Sequence, residues 1–286
     1  MKSGLVAVAG RPNVGKSTLV NALCGGKVAI VSDKPQTTRR RISGVANGPS
    51  YQLVLQDLPG FQRPRDPLTE RMQRTVDESL EDVDGILFVL AADEQLGGGD
   101  RFIAERVFAG EAPVVIALSK VDRLKPDRIA GRIAEVARLG DFHALHPVCG
   151  LTGDGIDALR SELVGLLPEG PAYFPEGDLT DLPLETRVAE LVREAALALT
   201  REEVPHAVTA EVQELEERRV AVALFVETTS QKGILVGKGG RMIREIGSRA
   251  RPEIERLLGR GVFLELTVKV RPSWRRDEAM LTRMGI

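Results

Sequence analysis

Cysteine and histidine are scarce in this sequence. Two cysteines, Cys24 and Cys149, stand among 286 residues. They make no disulfide framework, and neither has a partner at metal-binding spacing. The histidines number three, His143, His146 and His206. His143 and His146 are close, but no cysteine or third histidine joins them, so they read as a solvated loop pair rather than a zinc site. No run of ~18 apolar residues is available to span a membrane. The apolar run Leu5–Ala9 is too short for the core of a secretory signal, so the protein is expected in the cytoplasm. A strong net charge is missing as well: 39 basic residues face 41 acidic ones, a formal charge of −2.

That near-balance hides an asymmetry. Residues 182–231 carry 5 basic and 10 acidic side chains, whereas 232–286 carry 13 basic and 6 acidic, net +7. A basic final segment on an otherwise acidic chain suggests a local polyanion contact, although a solvated face would look the same by charge alone. The length suggests roughly two domains, and the hydrophobic fraction of 43 % is that of an ordinary globular protein.

Apolar, strand-like runs alternate with helical patterns through the first part of the chain. Strands are expected at Leu5–Ala9, Ile42–Ala46, Tyr51–Gln56, Ile86–Ala91, Val114–Leu118 and Leu145–Val148. Helices are expected at Ser17–Leu23, Leu68–Leu80, Asp100–Phe108, Arg128–Leu139 and Ile156–Leu167. Asn47-Gly48-Pro49-Ser50 reads as a short turn joining an antiparallel hairpin. The rest predicts a mostly parallel α/β sheet with helices on both faces and ligands at the C-terminal strand ends.

The informative motifs sit at those ends. Gly10-Arg11-Pro12-Asn13-Val14-Gly15-Lys16-Ser17, followed by Thr18, lies between the first strand and first helix. Its G-x-x-x-x-G-K-[ST] spacing turns backbone N–H groups, the Lys16 charge and a helix N-terminus onto phosphates, with the Ser17 hydroxyl placed for Mg²⁺. Asp57-Leu58-Pro59-Gly60 ends the hairpin: Asp57 is placed to hold Mg²⁺ directly or through water, and Gly60 to approach a γ-phosphate. Phe61 follows where a Ras-like protein carries its water-positioning glutamine, so slow intrinsic turnover is expected. Ser119-Lys120-Val121-Asp122 follows a buried strand, and a carboxylate at Asp122 can pair with guanine N1–H and its exocyclic amine, where adenine offers an acceptor instead. Cys149-Gly150 lies in a small turn suited to presenting an N–H to the guanine oxygen. In the polar stretch Val31–Arg41, Thr38, favoured over Thr37, is placed to complete the Mg²⁺ shell when a γ-phosphate is present. Arg39, Arg40 and Arg41 suit phosphate or RNA, or simply a solvated loop.

Leu167 to Gly177 is dense in proline and glycine and marks a domain boundary. The first domain is expected at 1–168, a linker at 169–181 and a second domain at 182–286. In the latter, a helix at Glu185–Leu199, strands at Val208–Glu214 and Val220–Glu227, two helices and a strand at Val262–Val270 make a smaller α+β fold. The helix pair flanks Gly237-Lys238-Gly239-Gly240-Arg241. Such a loop lets a nucleic-acid backbone approach, with Lys238 and Arg241 on phosphates and single bases in the apolar groove beyond. Lys232, Ile234, Val236 and Ile243 complete the expected RNA-binding set. Trp274 suits either stacking on a base or capping the domain core.

Taken in order, Gly10–Ser17, Gln36-Thr37-Thr38-Arg39, Asp57–Gly60 and Ser119–Asp122 resemble a translation-factor-class GTPase domain. Gly-Arg-Pro-Asn-Val-Gly-Lys-Ser with Pro-Gln-Thr-Thr-Arg is similar to the Era family of bacterial GTPases in particular. The loop at Gly237–Gly240, with its element order, resembles a type II KH domain, and Val268–Asp277 also looks like an Era C-terminus. Three positions depart from the family pattern. Leu58 stands where threonine is common, Ser119 replaces asparagine, and Cys149-Gly150-Leu151 replaces Ser-Ala-Leu; the last two touch base recognition.

The resemblance implies a GTP/GDP- and Mg²⁺-dependent GTPase that binds single-stranded RNA near the 3′ end of 16S rRNA and acts in 30S subunit assembly. Asn13 offers a side-chain oxygen beside the phosphates, and a resemblance to potassium-activated GTPases implies K⁺ there in the place of an arginine finger. The resemblance also leaves open a peripheral association with the inner membrane. No oligomerisation motif is seen, and a monomer is expected. Two other readings compete: an RNA-binding checkpoint in which GTP is mainly a conformational ligand, and a P-loop small-molecule kinase. The kinase leaves Ser119–Asp122 and the KH pattern unexplained.

Overall fold

The computed structural model describes residues 1–34, 36–61 and 64–286, which divide into two compact units. Pro35, part of the Pro-Gln-Thr-Thr-Arg motif, lies outside the described residues. The first unit holds Met1–Ala29, Thr38–Arg65 and Thr69–Asp181; the second holds Ile30–Thr37, Asp66–Leu68 and Leu182–Ile286.

In chain order the first elements are β1 (Lys2–Ala9), α1 (Lys16–Cys24), β2 (Ile42–Gly48), β3 (Tyr51–Asp57), α2 (Pro67–Glu78), β4 (Gly85–Ala91), α3 (Gly98–Val107), β5 (Val114–Ser119), α4 (Pro126–Val136), β6 (Ala144–Pro147) and α5 (Ile156–Leu166). The strands form one six-stranded sheet in the order β2-β3-β1-β4-β5-β6. Only β2 runs antiparallel, to β3, as the short Gly48–Tyr51 connection requires. The central strands are apolar throughout because helices cover both faces: every residue of β4 is buried. Ile86, Phe88 and Leu90 share one core cluster with Ile103 and Val107 of α3.

Residues 169–181, expected to be a linker, lie within the first unit as a strap along the outer edge of β2. Val45 donates its N–H to the Leu179 carbonyl at 2.9 Å, and the Ser43 hydroxyl donates to Asp181 at 2.7 Å. The Gln52 side chain receives the N–H groups of Tyr173 and Phe174. A free sheet edge is a template for unwanted pairing, and this strap covers it.

The second unit contains α6 (Leu184–Leu199), α7 (Val204–Ala207), β7 (Thr209–Leu215), β8 (Arg219–Val226), α8 (Thr229–Val236), α9 (Arg241–Leu258), β9 (Phe263–Val270) and α10 (Glu278–Arg283). Its three-stranded sheet has the order β7-β8-β9, with β8 antiparallel to β7 and parallel to β9. Val188, Val192 and Ala195 of α6 and Ile246, Ala250 and Ile254 of α9 meet over Val222 and Leu224 of β8 in one core. The short helices α7 and α10 are not anticipated from sequence, since neither is long enough to show a hydrophobic period. Trp274 is fully buried, its indole N–H donating to the Ala207 carbonyl at 2.7 Å. Of the two roles open to it, the core is the one it takes, and no face is left for a base.

Candidate functional site

The loop after β1 bends at Asn13, exposed with φ 65°, before α1 begins at Lys16. Lys16 is buried, and its ammonium donates to the carbonyls of Gly10 at 3.0 Å and Arg11 at 2.9 Å. Burial pushes its pKa down to about 8, against the nearby Asp57 charge, which raises it. The Arg11 side chain is tied away from the loop, to Asp100 at 2.6 Å and Glu94 at 2.8 Å. Val14 is buried completely.

Three oxygens gather beside Lys16. The Ser17 hydroxyl donates to Asp57 Oδ2 at 2.6 Å and lies 3.1 Å from the Thr38 hydroxyl, which donates to the same carboxylate oxygen at 3.3 Å. Thr37 is turned the other way, its hydroxyl on the Lys34 carbonyl. Asp57 has no exposed surface, and burial pushes its carboxyl pKa up; Lys16 and the two hydroxyls pull it down. Its Oδ1 is buried without a hydrogen-bond partner. An unmatched carboxylate oxygen with two hydroxyls suits a hard cation that takes oxygen ligands, such as Mg²⁺. A soft or nitrogen-ligated metal is not favoured by this donor set, and the described residues contain no cluster of three His, Cys, Asp or Glu residues.

Gly60 stands against the loop. A Cβ there would fall 2.7 Å from the Pro12 nitrogen, so no larger residue can bring its N–H to this place. Leu58, Pro59 and Phe61 are buried. Phe61 donates its N–H to the Gly10 carbonyl, and its side chain packs in the core.

Ser119 is buried at the end of β5, with its hydroxyl on the carbonyls of Val14 and Leu90. Its contact with Val14 ties the end of β5 to the phosphate loop. Lys120 takes a left-handed φ of 58° and opens the 3₁₀ turn Val121–Arg123, on which Asp122 is exposed. Lys120 is held 3.8 Å from both Asp93 and Glu94. The Cys149 side chain is buried, and its N–H is engaged by the Asp154 carbonyl, so Cys149 is not the N–H donor expected of this turn. Gly150 presses on Thr18, where an added Cβ would come within 3.1 Å of Thr18 atoms.

Sequence reasoning missed Asn21. Its side chain accepts the N–H groups of Val28 and Ala29 and donates to the Ala29 carbonyl, which fixes the start of the Thr38 loop. Its signal is a single amide on the apolar face of a short helix. The histidine pair is not free in solvent: Nε2 of His143 and of His146 lie 3.0 and 3.3 Å from the two oxygens of Glu162. Arg39 is buried, Arg40 is half-buried and only Arg41 is exposed.

In the second unit, α8 starts at a Thr228–Gln231 capping box and ends at Gly237, whose φ is 70° and whose Cβ would strike Met242 at 2.8 Å. Lys232, Lys238, Gly239 and Arg241 are exposed, and Ile234 is 42 % exposed. Gly240 is half-buried at the start of α9. Val236 and Ile243 pack partly against the core and form the apolar side of the loop.

A phosphate loop, a hydroxyl–carboxylate oxygen cluster and a Lys-x-Asp strand end define a G domain, and the second unit has the element order of a KH domain. Residues 5–120 match the family model described as "50S ribosome-binding GTPase", and residues 203–275 match that of the KH domain. The chain is 45 % identical over 294 residues to GTPase Era of Mycobacterium sp. (strain JLS), covering 99 % of this chain and 98 % of that protein. It is 44 % identical, with the same coverage, to GTPase Era of Mycobacterium tuberculosis (strain ATCC 25177 / H37Ra). Among solved structures, Era in complex with MgGDPNP and nucleotides 1506–1542 of 16S ribosomal RNA matches with TM-score 0.96 and 39 % identity over 100 % of this chain and 99 % of that one. A variant of Aquifex aeolicus Era bound to GDP·AlF4⁻ matches with TM-score 0.95 and 38 % identity over the same shares. The chain belongs to the Era family of GTPases.

Proposed function

We propose that the chain hydrolyses GTP in its first unit, binds single-stranded RNA from the 3′ region of 16S rRNA with its second, and acts in 30S subunit assembly. The observation that carries the catalytic half is the Ser17–Thr38–Asp57 oxygen cluster, with an unmatched buried Asp57 oxygen beside Lys16. The RNA half rests on the exposed Lys238-Gly239 tip with its apolar flank, and on the relative solved with a 16S rRNA fragment.

Lys16 and the loop N–H groups receive the β- and γ-phosphates. Ser17 and Thr38 would hold Mg²⁺ directly, and Asp57 would hold it through water. Bound Mg²⁺ offsets charge on the phosphate oxygens. The Gly60 N–H meets the γ-phosphate, which water attacks in line. These fixed donors supply the transition-state stabilisation, because they need no reorganisation as charge develops. Phe61 cannot orient the water, so intrinsic turnover is on the order of 10⁻⁴ s⁻¹, as for an unassisted Ras-type site. Asn13 supplies a side-chain oxygen for K⁺ in the place of an arginine finger. Equal hydrolysis in K⁺ and Na⁺ by Asn13→Ala, at the parent's K⁺ rate, would remove that role.

Asp122 selects guanine by pairing with N1–H and the exocyclic amine. The test of the whole reading is phosphate release from GTP and not ATP, together with crosslinking to cellular RNA. Bound sequences clustered at the 3′ end of the small-subunit rRNA are expected; a scattered set overturns the RNA assignment.

A second reading, a checkpoint in which GTP is mainly a conformational ligand, is favoured by one observation. Thr38 follows directly on Ile30–Thr37, a segment that belongs to the second unit. The compartment that fits both readings is the cytoplasm, with a monomeric chain. No helix among the described residues is long and apolar enough to cross a membrane. Co-sedimentation with anionic vesicles tests the peripheral association that the family resemblance leaves open.

A further inference from the structure

Arg193 lies on α6 with 2 % of its side chain exposed. A guanidinium is buried at a cost that only close partners offset. Its Nε donates to Glu190 Oε1 at 2.9 Å, and its Nη2 donates both to Glu190 Oε2 and to the backbone carbonyl of Thr37. One residue further on, Glu194 accepts the Val31 N–H at 2.9 Å. Ile30 is buried in the same apolar cluster as Val188, Leu191 and Val192 of α6. The segment Ile30–Thr37 is thus fastened to α6 at both ends. Within the segment, the Thr37 hydroxyl closes on the Lys34 carbonyl at 2.6 Å.

One peptide bond separates this fastening from the metal cluster. Thr37 accepts from Arg193 through its carbonyl, and that carbonyl belongs to the peptide unit that leads into Thr38. A planar peptide unit turns as one body, so holding its oxygen sets the direction in which Thr38 departs. Thr38 then brings its hydroxyl to Ser17 and Asp57.

We propose that Arg193 is a positioning residue for Thr38: it fixes the Thr37–Thr38 peptide so that the Thr38 hydroxyl stays at the Mg²⁺ and γ-phosphate position. The proposal rests on the Mg²⁺–GTP reading of the site. It places one determinant of GTP binding on a helix that carries none of the G-domain motifs. GDP, which has no γ-phosphate to engage Thr38, is indifferent to it. Lysine at this position keeps the charge, but a single ammonium cannot reproduce the planar fork that spans the Glu190 carboxylate and a carbonyl.

The test uses the full chain with Mg²⁺ and measures affinity for GDP and for a non-hydrolysable GTP analogue. Arg193→Lys is expected to leave GDP affinity within about twofold of the parent and to weaken the analogue about tenfold, the size of one or two hydrogen bonds to a charged donor. In a Thr38→Ala background the same substitution adds nothing further, because the group it positions is gone. Equal losses for both nucleotides would make Arg193 part of the domain's packing only, and full additivity with Thr38→Ala would break the link to Thr38; either result overturns the proposal. If Arg193→Lys does not fold, Glu194→Gln is read instead, which weakens the hold on Val31 and leaves the charged fork intact. A shift of about threefold in the same GTP-to-GDP ratio is then expected, and an unchanged ratio overturns the proposal. A parent chain that binds neither nucleotide overturns the GTP reading and this inference with it.

Discussion

Asp122 and Ser119, which stand at the two ends of one short motif, have opposite environments. Asp122 is exposed and aimed outward, whereas Ser119 is buried and bonded to the carbonyls of Val14 and Leu90. The buried Ser119 hydroxyl is thus engaged with the backbone, and the proposed base selection rests on Asp122. Asp122→Asn should exchange a GTP preference for XTP, read as relative affinities of the two nucleotides; an unchanged preference would remove guanine recognition from this residue. Lys16 gives a second expectation. Its pKa in the free site is about 8, and phosphate oxygens against the ammonium raise it. The bound state then holds more protons than the free state above pH 7, so affinity falls as pH rises through 8. Binding of GDP at pH 8 should take up roughly half a proton, falling toward zero at pH 7, measured by calorimetry in buffers of different ionisation enthalpy. No uptake at pH 8 would mean that Lys16 is fully charged before the nucleotide arrives.

The Gly237–Arg241 loop joins two helices, and its glycines do different work. Gly237 has no room for a Cβ beside Met242, so it is needed for the fold. Gly239 has φ 60° and open space around its Cβ position. A substitution there changes what approaches from outside and meets no clash inside, and aspartate tolerates a left-handed backbone better than most residues. Gly239→Asp should abolish RNA binding while hydrolysis of free GTP stays near the parental rate, measured by filter binding and phosphate release. RNA binding that persists would move the interface elsewhere on the domain. If ~5 phosphates are neutralised, the parental log K should fall with log salt at a slope of about −3.5 for a single strand. The strap 169–181 has the opposite lesson: its prolines and glycines are present as expected of a linker, yet its backbone pairs with β2, whose edge needs covering.

The two units are joined through more than one passage of the chain. Besides Asp181–Leu182, the segment Ile30–Thr37 passes from the first unit into the second and returns at Thr38. In the proposed reading, a nucleotide that holds Thr38 would act on one end of a segment whose length belongs to the KH unit. RNA affinity should differ between the GTP-analogue and GDP states by ~5-fold or more, the usual range of coupling between sites. Equal affinities would leave an enzyme and an RNA tether on one chain without linkage.

Much of this was legible in the linear order of residues. The phosphate loop, the Asp57 strand end, Asp122 and the glycine loop are local motifs, in which a few consecutive residues meet a backbone requirement. Strand and helix spans follow from hydrophobic periods, and they agree with the observed elements to within a few residues. Other assignments needed the fold. Trp274 could stack or pack until α7 supplied a carbonyl for its indole N–H. Phe61 has an apolar side chain that reads as a missing glutamine, and only its place in the core shows where it points. Arg193 has no motif at all, because its partner Thr37 lies 156 positions away in the chain. Neighbouring residues can specify a loop that binds phosphate, since its donors are consecutive backbone groups. They cannot specify which distant side chain will hold that loop in place, because that depends on burial and on contacts formed only when separate segments pack.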